Sequence, residues 1–74
     1  MEPERIRAIL VAALPGAEID VKDLTGTKDH FSATIAAPQF AGKSLIEQHQ
    51  MVYRALGDLM KAEIHALALT TRAK

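Results

Sequence analysis

Apolar residues recur along the chain with two different periods, and the changes of period mark its elements. In EPERIRAILVAALPG (2–16), Ile6, Ile9, Leu10 and Ala13 fall at i, i+3, i+4 and i+7, one face of a helix. Pro3 suits the first turn, where its missing N–H costs nothing, and Glu4 suits the positive end of the helix dipole. Pro15-Gly16 predicts the stop. In AEIDVKDL (17–24), Ile19 and Val21 alternate with Glu18, Asp20 and Lys22, the period of a half-buried strand. After a polar turn, TGTKDH, FSATIAA (31–37) alternates again, with Phe31, Ala33 and Ile35 on one face. Two strands joined by a short loop predict an antiparallel hairpin, and Pro38 ends the second because it lacks a ladder donor.

The helical period returns in SLIEQHQMVYRALGDLMKAE (44–63), where Leu45, His49, Val52, Leu56 and Leu59 form a stripe. Ser44 and Glu47 have the spacing of a capping box. Gly57 marks a bend or a break into two helices. IHALALTT (64–71) reads as a third strand, with Leu67 and Leu69 on the face of His65 and turned to the helices; Arg72 to Lys74 read as a frayed tail. The predicted order is α-β-β-α(-α)-β. The fold class is therefore a small α+β sandwich, a three-stranded sheet with helices on one face, in a single domain over residues 1–74.

Composition narrows the chemistry. The chain has no cysteine, so neither a disulfide nor a thiolate is available, and any metal must be held by imidazole, carboxylate or a partner's ligands. The formal charge is zero, which argues against a general polyanion binder. MEPERIRAIL lacks the layout of a signal peptide and no apolar run is long enough to span a membrane, so a cytoplasmic location is expected. Ser32 and Ser44 have no evident base, and Asp20 and Asp23 fall on opposite strand faces, so an enzyme is not expected. APQFAGKS (37–44) loosely matches a phosphate-binding loop, but Pro38 removes a backbone donor and the match reads as accidental; Phe40 is expected to pack inward and Lys43 to be exposed.

Three histidines remain. His65 reads either as a hydrogen-bonded histidine at the rim of the core or as a metal ligand. His30, where the hairpin loop meets Phe31, reads either as an exposed loop residue or as a second ligand beside His65. His49, on the apolar stripe, reads as a packed, hydrogen-bonded core residue. Lys43, Arg54 and Lys61 could form a modest basic surface, interleaved with Glu47, Asp58 and Glu63, with Arg54 and Asp58 as an i,i+4 pair.

HFSATI, FAGKSLIEQHQMVYRAL and IHALAL together resemble the BolA family, in its short bacterial branch, over about Ile6 to Thr71. Phe40, Gly42, Lys43, Leu45, His49, Val52, Tyr53 and Leu56 carry the middle of the pattern, and His65-Ala66-Leu67 its end. The resemblance implies a fold similar to the type II KH arrangement. It implies an adaptor in iron–sulfur cluster assembly and trafficking, sharing a 2Fe-2S cluster with a monothiol glutaredoxin and glutathione, with no cofactor in the isolated protein. It makes His65 a cluster ligand, His30 the nearest candidate for a second, and Phe40, Gly42 and Lys43 part of the partner-binding face. Some relatives bind DNA and regulate stress response and cell morphology. That alternative would use Lys43, Arg54 and Lys61, but Gln48 and Gln50 stand where many relatives have Arg, and no Gly-x-x-Gly loop is present. The sequence also ends at TTRAK, without the Thr-Pro and Trp tail of many members. A homodimer is a further expectation about partners.

Overall fold

The computed structural model describes residues 2–24, 26, 30–62, 64 and 66–74. His65 and Glu63 therefore lie outside the described residues, as does most of the TGTKDH turn. The chain runs α1 (Pro3–Ala13), β1 (Glu18–Asp23), β2 (His30–Ala37), a 3-10 turn (Pro38–Phe40), α2 (Leu45–Leu56), α3 (Leu59–Ala62) and β3 (Ala66–Ala73). The α+β class and the element order are as expected. The sheet is mixed, in the order β1-β2-β3. β1 and β2 form the antiparallel hairpin, with Ile19 opposite Ile35 and Val21 opposite Ala33. β3 lies parallel to β2, from His30 opposite Ala66 to Ala37 opposite Ala73. A parallel neighbour requires a crossover, which the 3-10 turn, α2 and α3 provide.

The helices cover one face of the sheet. Ile6 and Leu10 of α1, Val52 and Leu56 of α2, and Phe31, Ala33 and Ile35 of β2 are buried together with Phe40. Leu67 and Leu69 pack against this core from β3, on the face expected for them. The helical stripes hold in the middle and fail at their ends. Ala13 is exposed, and Leu14, just past the helix, is buried instead. Leu45, in the first turn of α2, is exposed. Ala36 is buried although it points to the bare face, since Glu18 and Arg72 flank it on the neighbouring strands.

Local chemistry sets the helix ends. The Ser44 hydroxyl accepts from the Glu47 amide at 3.2 Å, and the Glu47 carboxylate accepts from the Ser44 amide at 3.1 Å, which completes the expected capping box. Gly57, with φ of +56°, closes α2 and forces a break, so α3 is a separate turn of helix. The break also separates Arg54 from Asp58, and no ion pair joins them among the described residues.

β3 begins and ends later than expected. Ile64 is buried but precedes the strand, and its amide donates to Leu59 O at 2.8 Å. Arg72 and Ala73 are not a frayed tail: they pair with Ala36 and Ala37. Lys74 continues this order, its amide donating to Ala37 O and its ammonium to Gly16 O. The tail is held because β2 is long enough to offer partners up to Ala37. None of the described helices is long and apolar enough to cross a membrane.

Candidate functional site

β2 and β3 start at the same end of the sheet, and that end carries His30, while His65 lies outside the described residues. His30 is the first residue of β2, not a loop residue as expected: its carbonyl accepts from the Leu24 amide at 2.9 Å, which extends the hairpin by one step. It is half-buried. Phe31, Ala33 and Ile35 point into the core, so His30 belongs to the other face with Ser32 and Thr34. Its partner across the parallel pair is Ala66, the residue that follows position 65 in the chain. Among the described residues no group of three or more His, Asp or Glu could hold a metal unaided.

Phe40, Gly42 and Lys43 lie at the opposite end of the sheet. They follow Ala37, seven steps along β2 from His30, or roughly 23 Å at about 3.3 Å per step. Phe40 is 1% exposed and belongs to the core, so it holds the loop in place from beneath. Gly42 and Lys43 are exposed, with Gly42 at φ of +75°. The Lys43 carbonyl accepts from Gln48 Nε2, and the Gln48 carbonyl oxygen accepts from the Thr71 hydroxyl at 2.7 Å. These bonds fix the start of α2 over the far end of β3. The Ser44 amide and hydroxyl, helped by the nearby Lys43 charge, hold the Glu47 carboxyl below its ordinary range.

α2 then runs back toward the histidine end. Its last turn and α3 bring together Tyr53, Arg54, Gly57, Met60 and Lys61 around a shallow pocket of about 450 Å³. Lys43 is not part of that group: it precedes α2, and the nine helical steps from Leu45 to Arg54 alone span roughly 14 Å along the axis. The three cations of the expected basic surface therefore divide between the two ends of α2. Tyr53 and Met60 were not singled out as a surface pair by sequence reasoning. The available signal was the spacing of Ile46, Gln50, Tyr53 and Gly57, a second helical line turned about 100° from the core stripe.

His49 is half-buried on the core side of α2, as its place in the stripe predicts, but the expected hydrogen bond is missing: its Nε2 has no partner among the described residues.

Comparison with known proteins identifies the lineage of this arrangement. A family model described as BolA-like protein matches residues 11–74. An uncharacterized protein of Rickettsia prowazekii, RP812, is 35% identical over 68 residues, covering 92% of this chain and 88% of that protein. The DNA-binding transcriptional regulator BolA of Escherichia coli is 31% identical over 75 residues, covering 92% of this chain and 71% of that protein. Among solved structures, the BolA domain of SufE1 from Arabidopsis thaliana superposes with a TM-score of 0.87 at 31% identity, over 96% of this chain and 90% of that one. The family match spans both candidate ends of the sheet, and the fold is that of a BolA domain: the chain belongs to the BolA family.

Proposed function

We propose that this protein is a cytoplasmic adaptor that binds a monothiol glutaredoxin and co-ligates a bridging 2Fe-2S cluster through histidine. The cluster is cargo, and the chain carries out no reaction of its own. His65 is the principal ligand and His30 the second. The observation that supports this reading is the pairing of His30 with Ala66, which puts the described candidate ligand against the start of β3, next in sequence to His65. His30 lies on the bare face, opposite the one expected for His65, so the two would meet one cluster only around the end where the strands begin.

The donor set fits such a cargo. The chain has no thiol, so its contribution to a shared cluster is imidazole nitrogen, with the thiolates coming from the partner and glutathione. Two ligands from one chain suffice when a partner supplies the others. A ligand at the start of a strand is positioned by the ladder hydrogen bonds and remains reachable from outside. Imidazole must be neutral to ligate, so acid releases the histidine-held iron first. Native mass spectrometry of the protein mixed anaerobically with a cluster-loaded monothiol glutaredoxin tests the reading. The expected species is a heterodimer carrying the mass of one 2Fe-2S unit; two separate proteins under conditions that keep the cluster intact would contradict it.

The DNA-binding reading is favoured by the names of the Escherichia coli and Vibrio cholerae relatives. Lys43, Arg54 and Lys61 would be its contacts, and they stand apart at the two ends of α2. A steep fall of affinity with salt would support it.

A further inference from the structure

The turn between α2 and α3 offers a surface with its own chemistry. Tyr53 and Met60 give the pocket an apolar wall, and Gly57 lines it without a side chain. Arg54 and Lys61 line the same pocket, and both are exposed. Neither forms an ion pair among the described residues. Ile46, 72% exposed, lies on the Tyr53 side of α2 and extends the apolar line away from the pocket. Large apolar side chains left in water beside unpaired cations call for a partner with the opposite charge and a complementary anchor.

We propose that this pocket docks an acidic segment of a partner protein, which places an apolar side chain between Tyr53 and Met60 and carboxylates against Arg54 and Lys61. Charge complementarity selects that occupant. A nucleic-acid strand fits less well: two cations displace few counterions, and the formal charge of the chain is zero. The pocket opens at the same end of α2 that leads through α3 to β3, so a partner seated here reaches toward the His30–Ala66 end and not toward Lys43. The inference goes beyond the adaptor reading and does not draw on the cluster.

The test is an amide-resolved NMR titration of the whole chain, without iron or glutaredoxin. The probes are the peptide Asp-Glu-Leu-Leu-Glu-Asp, its basic counterpart Lys-Lys-Leu-Leu-Lys-Lys, and a ten-nucleotide oligothymidine. The acidic peptide is expected to shift the amides of Tyr53, Gly57 and Met60 saturably, and the basic peptide to leave them in place. Arg54→Glu with Lys61→Glu should weaken the acidic peptide by about tenfold, the scale of two exposed charge contacts, and let the basic peptide bind. Tyr53→Ser should weaken it without changing its charge preference. Shifts centred elsewhere, no shifts, or a preference for the oligothymidine would overturn the proposal. So would shifts of the same amides on dilution of the protein alone, which would assign the pocket to a second copy.

Discussion

His30 opens β2 directly opposite Ala66, which opens β3. The crossover makes this so: a parallel pair aligns the starts of its two strands, whereas an antiparallel pair would have set the start of one against the end of the other. The same topology sends the Gly42–Lys43 loop to the far end of the sheet.

The interior predicts its own sensitivity. Phe40 is among the largest fully buried side chains, and it anchors the loop between the 3-10 turn and α2. Phe40→Ala should cost about 3–5 kcal/mol, read as a shift in the urea midpoint with an unchanged slope. A cost under about 1 kcal/mol would mean that the site collapses around the truncation.

The cap on α2 should be worth measuring separately. Ser44→Ala removes the acceptor of the Glu47 amide and should destabilise the protein by about 1 kcal/mol. Retention of full stability in thermal unfolding would show that water replaces the hydroxyl at no cost.

The Glu47 carboxyl makes this cap pH-dependent. Its folded-state value lies below the ordinary 4.5 because the Ser44 amide and hydroxyl bond to it, and Lys43 adds a smaller attraction. A lowered value stabilises the folded state in full above the ordinary value, and that contribution is lost as pH falls through the folded one. The difference in stability between wild type and Glu47→Gln should therefore favour wild type at neutral pH and shrink on acidification below 4.5. A difference that grows on acidification would contradict the assignment.

His49 presents the reverse case. Its Nε2 is buried without a partner among the described residues, a cost that hydrogen-bonded polar groups avoid. His49→Leu keeps the apolar stripe and removes the orphan atom, so stability should stay level or rise by about 1 kcal/mol. A loss of more than that, in urea unfolding, would place an unrecognised partner on the ring.

Much of this was legible in the sequence, for identifiable reasons. Ile19 and Val21 against Glu18 and Asp20, and Phe31 and Ile35 against Ser32 and Thr34, gave the hairpin because one sheet face is covered and the other is bare. Ser44 and Glu47 gave the helix start because a cap is local chemistry. The strand ends were not legible, since Arg72, Ala73 and Lys74 are ordered by partners on β2 and Gly16, far away in sequence. Of the candidate site, the residue types were readable from the family pattern. The parallel pairing that sets Ala66 opposite His30 was not, because periodicity does not carry topology.

The most direct measurement is visible circular dichroism of a cluster-loaded monothiol glutaredoxin with glutathione, titrated anaerobically with wild type, His65→Ala and His30→Ala. The account predicts a new spectrum with wild type, none with His65→Ala, and a weakened or altered one with His30→Ala. A complex that forms with wild type yet leaves the spectrum of the glutaredoxin cluster unchanged would contradict ligation by this chain.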